Sequence, residues 1–598
     1  MPRTEERTVS DLVVERLRAW RVPRVFGYSG DGINGVLGAL RRAGGDPAFV
    51  QARHEEAAAF MAVGHAKYTG EVGVVLATQG PGAVHLLNGL YDARLDSQPV
   101  VALVGQQVRS ALGSDYQQEV DLTTLFGDVA REFAEMATSA EQVPMLLDRA
   151  FRTALATRSP CVVILPHDVQ SLPAPTLGRE HGVMATTPGW RPPRVLPYDD
   201  DLRRAAELLT AGERVALLVG QGARAAQDEV VAIAEQLGAG IATSLLGKPY
   251  VDEALPFATG TMGHLGTTAS ADLMDRCDTL LIVGSNDPWS EFYPRPGQAR
   301  AVQIDIDGRR IGRRYPIEVG LVGDARETLG ALLPLLAPRV EREWRREVEQ
   351  SVARWHRIAE ERAGLPTTRL NPERVIRALS DHLPADAQVS LDVGSVVYWY
   401  ARHLRLPRGV PAHLSSTLAS MGSALPYGIA AKLAEPGRPV VALAGDGAMQ
   451  MSGLAELITV AHRWRDWDDP RFVLCVLDNG DLAEVTWEQR ETEGQPRYGE
   501  SQALPSFAYA DYARLLGLGG LRVDDPADLD DAWREALACD RPFLLQAVVD
   551  PDVPLLPPFP VGAEKLESMR AGLDEEGESG RQARSLLEAH AEQEAGRA

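Results

Sequence analysis

The order of apolar and polar positions predicts alternating strands and helices along most of the chain. The clearest unit lies at residues 440–477, where two short apolar runs, 440–444 and 472–477, flank an amphipathic helical pattern. The predicted helix carries these apolar residues on one face: Met451, Leu454, Leu457, Ile458 and Ala461. Such a βαβ unit places the turn after each strand at the carboxyl edge of a parallel sheet, where α/β proteins bind ligands.

Three regions with this alternation predict an α/β protein made of three doubly wound parallel-sheet domains. A chain of 598 residues is too long for a single core, which agrees with this division. The predicted domains and the two polar or proline-rich linkers between them have these bounds: domain 1–170, linker 171–200, domain 201–336, linker 337–370 and domain 371–560.

Residues 561–598 form a charged C-terminal tail. Its apolar stripe consists of Leu566, Met569 and Leu573, so we predict a solvated helix that frays toward its end. A membrane-surface helix needs a wide apolar face and a basic polar face. The tail instead carries many glutamates and no aromatic residue, and we expect no binding to membranes.

Composition excludes several classes of partner. The net charge of −22 disfavours nucleic acid and anionic lipid surfaces. The four cysteines lie far apart without a CxxC pair, no stretch reaches the ~20 apolar residues of a membrane helix, and the N-terminus lacks a signal region. We therefore expect a cytoplasmic protein whose partner is a small molecule.

Polar residues follow both strands of the central βαβ unit. Asp446 and Asn479 would face each other with the hard oxygen ligands that suit Mg²⁺. Gly447 and Ala448 would begin a helix, whose free N–H groups favour a diphosphate. A nucleotide site and a purely structural turn are the alternatives.

Glycine–aspartate–glycine followed, after one helix, by Asn479 resembles the signature of thiamine-diphosphate enzymes. Asp478 replaces one asparagine of that signature, and a polar insertion at 465–470 lengthens the gap. The segments RHEEAAAF, QGPGAVHLLNGLYD, GTMGHLG and ASMGSALPYGIAAKL extend the resemblance to the family of pyruvate oxidase, quinone-dependent pyruvate dehydrogenase and acetolactate synthase. The resemblance implies pyrimidine-binding, central and diphosphate-binding domains, and a homodimer or homotetramer with active sites between chains.

The resemblance also implies roles for individual residues in catalysis and in holding thiamine diphosphate. Glu55 would hydrogen-bond the aminopyrimidine N1′ and so start the proton relay that removes the C2 proton of the thiazolium. His85, Gln118 and Tyr28 would line the substrate pocket, which Gln117 makes more polar than a phenylalanine would. The other implied contacts are Met421 under the bent cofactor, Gly394, Ser395, Gly445, Gly447 and Ala448 at the diphosphate, and Asp446, Asn479 and the Asp481 carbonyl at Mg²⁺.

In the central domain the resemblance implies FAD. The implied contacts are Gly220, Gly222, Thr261, Met262, Gly263, His264, Ser285, Asn286, Asp305 and Asp324. The corresponding reaction is oxidative decarboxylation of a 2-oxo acid, pyruvate or a close analogue, with FAD as electron acceptor. An acetolactate-synthase-like carboligase, a non-oxidative decarboxylase and a non-catalytic homologue are the alternatives, since FAD alone does not define the reaction.

Overall fold

The computed structural model describes residues 7–176, 178 and 181–596, and these form three parallel six-stranded sheets with helices on both faces. The predicted fold class is therefore confirmed. Each sheet is doubly wound, because its strand order reverses direction within the sheet. Among the described residues, no helix combines the length and apolar character needed to cross a membrane.

The first sheet has the strand order β2-β1-β3-β4-β6-β5. Its strands are β1 (Arg24–Gly27), β2 (Ala48–Gln51), β3 (Gly73–Ala77), β4 (Val100–Gln106), β5 (Ala134–Met136) and β6 (Pro160–Pro166). Its helices are α1 (Val9–Ala19), α2 (Asn34–Arg42), α3 (Glu55–Thr69), α4 (Pro81–His85), α5 (Leu87–Leu95), α6 (Leu122–Phe126), α7 (Val143–Thr157) and α8 (His167–Gln170).

The second sheet has the order β12-β11-β10-β7-β8-β9. Its strands are β7 (Val215–Val219), β8 (Gly240–Thr243), β9 (Ala258–Thr261), β10 (Thr279–Val283), β11 (Arg300–Asp305) and β12 (Val319–Val322). Its helices are α9 (Asp199–Ala211), α10 (Gln227–Leu237), α11 (Thr268–Arg276) and α12 (Ala325–Leu332), followed by the long connecting helix α13 (Glu343–Ala363).

The third sheet has the order β14-β13-β15-β16-β18-β17. Its strands are β13 (Gln388–Leu391), β14 (Ala412–His413), β15 (Val440–Gly445), β16 (Phe472–Asp478), β17 (Gly519–Val523) and β18 (Phe543–Val548). Its helices are α14 (Pro372–His382), α15 (Ser395–His403), α16 (Ala424–Ala434), α17 (Asp446–Ala448), α18 (Leu454–Arg463), α19 (Ala483–Glu493), α20 (Gly499–Gln502), α21 (Tyr509–Leu515), α22 (Leu529–Ala538), α23 (Val561–Glu576) and α24 (Arg581–Ala595).

The first and third domains share one apolar core. Helix α3 packs against α16, where Gly64 lies so close to Tyr427 that a Cβ would come within 3.1 Å of its Cα. A buried charge network joins the same two domains: the Lys67 ammonium contacts the Asp96 carboxylate at 2.7 Å and donates to the Leu414 carbonyl at 2.5 Å. The relative placement of the two domains is thus fixed by close packing and by paired buried charges.

The apolar face predicted for the helix after β15 is partly wrong. Leu457 is buried at 2% exposure, but Met451 and Ile458 are 51% and 40% exposed. The chain is π-helical at Met449–Gly453 before it enters α18. A π-helical turn holds more residues than an α-helical turn. The residues after it therefore face a different direction from the one that an uninterrupted α-helix would give them.

The prediction of a solvated C-terminal helix is wrong. Helices α23 and α24 form a pair, named here the C-terminal hairpin, that packs on the third domain with Met569, Leu573 and Leu587 buried. Two acidic residues of the C-terminal hairpin pair with buried arginines. Glu576 accepts two hydrogen bonds from Arg490 at 2.8 and 2.9 Å, and Glu594 accepts one from Arg362 at 2.9 Å. Distant arginines therefore neutralise charges that look solvated in the sequence.

Leu587→Ala should destabilise the protein by about 2–5 kcal/mol, because the side chain is fully buried and its removal leaves a cavity. Leu515→Ala is the matched control, since Leu515 is 85% exposed. Urea unfolding followed by circular dichroism gives the comparison. Equal midpoints for the two variants would contradict a packed C-terminal hairpin.

Candidate active site

The carboxyl edge of the third sheet opens into a crevice between β13 and β15. The helices that follow these strands leave on opposite faces, since α15 packs in one apolar core and α18 in the other. A doubly wound sheet binds ligands at such a point. Gly394, with φ +99°, turns the chain from β13 into α15, and Gly445 ends β15 with open space where a Cβ would stand. The crevice thus has room for a ligand against bare backbone.

Asp392 connects the turn after β13 to the segment before α16. Its buried carboxylate accepts hydrogen bonds from the backbone N–H groups of Gly422 at 2.7 Å and Val393 at 3.1 Å. This contact holds half-buried Met421 next to the turn at Gly394. Burial raises the pKa of Asp392 to about 6, and the N–H donors oppose that rise. The position of Asp392 directly after a strand is a signal that sequence reasoning left out of the predicted site.

Asp446 and Asn479, the predicted magnesium ligands, directly follow the neighbouring strands β15 and β16. Asp446 accepts from the Gly480 N–H at 2.6 Å and from the Gly447 N–H at 3.0 Å, and Asn479 Oδ1 accepts from the Asp481 N–H at 2.8 Å. Burial and the neighbouring Asp478 raise the pKa of Asp446 to about 7. A bound divalent cation would stabilise the ionised carboxylate. Oxygen donors at adjacent strand ends fit Mg²⁺.

The loop Asn479–Asp481, named here the metal loop, is braced by arginines. Arg497 donates to the Asp481 carboxylate at 2.8 and 2.6 Å, and Thr486 donates to its other oxygen at 2.6 Å. Arg369 donates to the Asn479 carbonyl at 3.2 Å. The Asp481 carboxylate is thus occupied by hydrogen bonds from Arg497 and Thr486. A metal in this loop would therefore bind the Asp481 backbone carbonyl. A cleft of 820 Å³ adjoins this loop.

In the first domain, Glu55 begins α3 and lies directly beside His85 of α4. His85 Nδ1 and Glu55 Oε2 are 2.9 Å apart, and Glu55 is only 8% exposed. His54, which the prediction omitted, stacks near His85 with ring centroids 4.3 Å apart and caps α3 by accepting from the Glu56 N–H. A buried carboxylate next to an imidazole can hold and move a proton.

The predicted pocket residues Tyr28 and Gln118 lie at the same edge of the first sheet. Tyr28 follows β1 and is 38% exposed. Gln118 has φ +62°, a backbone conformation that residues other than glycine rarely adopt. The Gln79 side-chain amide donates a hydrogen bond to the Gln118 amide oxygen at 3.2 Å. Non-glycine residues held in this conformation cluster at functional sites. Buried Gln79 also bonds Asp31, and neither was predicted as a site residue.

Two of the predicted FAD contacts in the central domain each have one polar atom that lacks a partner within the described part of the chain. Asn286 Oδ1 and Thr261 Oγ1 are buried without a hydrogen-bond partner among the described residues. Gly220 and Gly222 lie so close to Gly284 and Ser285 that a Cβ would come within 2.3 to 2.7 Å of their atoms. Asp305 ends β11, and burial raises its pKa. Orphaned groups at the strand ends fit a dinucleotide that would supply their partners.

The side chains of two other predicted FAD contacts, His264 and Asp324, form hydrogen bonds with other parts of the protein. The His264 ring bonds the Tyr398 hydroxyl at 2.7 Å and the Glu491 carboxylate at 3.0 Å, so its side chain faces the third domain. Asp324 caps α12 by accepting from the N–H groups of Arg326 and Glu327. The remaining predicted positions lie at the same strand ends: Met262 and Ser285 are buried, and Gly263 has φ +100°.

Fold and site together define an α/β protein of three parallel-sheet domains whose polar groups collect at the strands' carboxyl ends. Residues 7–125 match the model of the thiamine pyrophosphate enzyme N-terminal TPP binding domain, residues 202–332 the central domain and residues 392–547 the C-terminal TPP binding domain. The chain belongs to the thiamine pyrophosphate enzyme family.

Three relatives cover most of the chain. A thiamine pyrophosphate-containing protein of Bacillus subtilis, YdaP, is 34% identical over 92% of this chain and 93% of its own length. The Escherichia coli acetolactate synthase isozyme 2 large subunit is 32% identical over 93% and 99%, and the Lactiplantibacillus plantarum pyruvate oxidase is 30% identical over 91% and 89%. A pyruvate oxidase and an acetolactate synthase subunit are therefore similar to this chain at nearly equal sequence identity.

Proposed function

We propose that this protein uses thiamine diphosphate, Mg²⁺ and FAD to decarboxylate a small 2-oxo acid, pyruvate or a close analogue, oxidatively. The contact between Glu55 and His85 carries the proposal, since it places an imidazole ring against the buried carboxylate that begins α3. Thiamine diphosphate, when bound, supplies a nucleophilic carbon and an electron sink for loss of CO₂.

The chain's own residues have separate tasks in this proposal. Glu55 holds the proton exchanged with the aminopyrimidine, and His85 orients the Glu55 carboxylate through its Nδ1. Tyr28 and Gln118 bind the 2-oxo acid. Asp446, Asn479 and the Asp481 carbonyl would hold the metal, whose charge would favour binding of the diphosphate.

The diphosphate would lie against the backbone of the crevice. Gly394, Ser395, Gly445, Gly447 and Ala448 are its proposed contacts, named here the diphosphate cradle. The cradle combines two helix starts, α15 and α17, with an open position at Gly445. N–H groups at helix starts favour anions, and Met421 would support the cofactor beside them.

FAD in the central domain and assembly with a second chain complete the proposal. The orphaned polar atoms at Asn286 and Thr261 support a dinucleotide there. Met451 and Ile458, together with Val84 at 43% exposure, leave apolar surface uncovered on the single chain, which supports a homodimer or homotetramer. A carboligase is the second candidate, since an acetolactate synthase subunit is 32% identical.

Anaerobic mixing of the FAD-loaded enzyme with a panel of 2-oxo acids tests the reaction. We expect the flavin absorbance to bleach with one or a few small acids, because bound FAD would serve as the two-electron acceptor of an oxidative decarboxylation. A pH indicator added to the same samples and analysis of their products measure decarboxylation independently of the flavin absorbance. Decarboxylation or carbon–carbon bond formation without bleaching would replace the oxidative proposal by the decarboxylase or carboligase alternative.

A further inference from the structure

Glu484 faces the diphosphate cradle from the start of α19, directly after the metal loop. Its Oε2 atom is 4.0 Å from the point that a Cβ on Gly394 would occupy. Gly394 is the residue that turns β13 into α15, and a ligand of the cradle would lie against its half-buried backbone. Glu484 is a half-buried residue at this position.

The surroundings of Glu484 are rich in acids. Glu488 and Glu491 follow at one and two helical turns on the same face of α19. Helix α15 contributes Tyr398 and Arg402, the central domain contributes His264, and α23 contributes Lys565, but His264 and Lys565 both contact Glu491. Arg402 donates to the backbone carbonyls of His264, Gly266 and Leu556. Within the described chain, Glu484 itself has no hydrogen bond or ion pair.

This environment disfavours the ionised form of Glu484. Burial, with a smaller contribution from the charge of Glu488, raises the pKa of Glu484 to about 7. A carboxyl group with a pKa near neutrality is suited to acid–base work, whereas an ordinary glutamate would repel a diphosphate in the adjoining cradle.

We propose that Glu484 is a further acid–base residue of this site, which takes up a proton when thiamine diphosphate binds and holds it against the cofactor during turnover. The proposal rests on the proposed binding of thiamine diphosphate at the cradle. The bound cofactor would displace water from around the carboxyl, and this loss of hydration disfavours the charged form, so the pKa of Glu484 would rise further. Glu55 lies in the first domain and serves the pyrimidine end, so Glu484 would be a second proton-exchanging group.

Calorimetric titration of the apo-enzyme with thiamine diphosphate at saturating Mg²⁺ measures the proton uptake, if it is run at pH 7 in buffers of different ionisation enthalpy. Glu484→Gln should take up on the order of half a proton less per site than the wild type, because a group with a pKa near 7 is about half protonated before binding. Metal binding at Asp446 displaces protons in both proteins, so the difference between them isolates Glu484. Equal uptake would overturn the proposal.

Two further variants sharpen the test. Glu493→Gln removes an exposed carboxylate from the same helix and should leave the uptake at the wild-type value. Glu488→Gln, also at an exposed position, removes the charge that raises the Glu484 pKa, so the pH of half-maximal uptake should fall. An unchanged pH dependence in Glu488→Gln would contradict the proposal even if Glu484→Gln failed to fold.

This measurement is independent of the flavin experiment. A difference in proton uptake together with no flavin bleaching would retain the role of Glu484 and reject the oxidative reaction. Absence of thiamine diphosphate binding by the wild-type protein would reject both. As a second readout, the kcat/KM profile of Glu484→Gln should lack an ionisation near pH 7 that the wild type shows, and a shared ionisation would count against the proposal.

Discussion

Glu55→Gln should slow proton–deuterium exchange at C2 of the bound cofactor by about 10²–10⁴-fold, the usual contribution of a positioned acid–base group. The substitution keeps the size of the side chain and its place at the head of α3, but glutamine cannot exchange the proton. Affinity for the diphosphate should change little, since the cradle lies in the third domain. Quenched-flow exchange followed by NMR measures the rate directly.

Glu56→Gln is the matched control for this variant. Glu56 is the next residue of α3, but its carboxylate accepts from Asn88 at 2.6 Å and has no contact with His85 among the described hydrogen bonds. We expect exchange near the wild-type rate in this control. Wild-type exchange in Glu55→Gln would remove Glu55 from the relay, and equal losses in both variants would indicate a general disturbance of α3.

The central strands of the three sheets could be predicted because they are buried on both faces. Apolar residues occupy most of strands β4, β10 and β16, and such a run predicts a buried strand. Edge strands lack this signal. β17 begins with two glycines and is mostly half-buried, and β12 alternates buried and exposed residues over only four positions. Neither pattern predicts a strand, although both strands complete their sheets.

Site residues that directly follow strands could be predicted from the sequence. Contacts between residues far apart in the chain could not. Asp446 and Asn479 follow adjacent strands, so their proximity follows from the topology. The Tyr398–His264–Glu491 contact joins positions 134 and 227 residues apart. The Arg362–Glu594 contact spans 232 residues. Charge and helical propensity cannot indicate such partners, which is why the packing of the C-terminal hairpin was not predicted.

Asp446→Ala should abolish Mg²⁺-dependent retention of thiamine diphosphate. Loss of an outer-shell partner already weakens metal binding by about 10–100-fold, and loss of a ligand itself should exceed this. The diphosphate would then lose its bridge to the protein, leaving only backbone N–H contacts at the cradle. Calorimetric titration of the apo-enzyme with the cofactor, with and without Mg²⁺, measures the effect.

Asp478→Asn separates loss of a ligand from loss of any carboxylate at this edge. Asp478 Oδ2 accepts from the Gln546 amide at 2.7 Å, and an asparagine oxygen can accept the same bond. Removing its charge also favours ionisation of Asp446, because Asp478 is one of the groups that raise the Asp446 pKa. We therefore expect Asp478→Asn to retain cofactor affinity or improve it. If Asp446→Ala bound the cofactor as the wild type does, the metal would have to lie away from β15 and the metal loop.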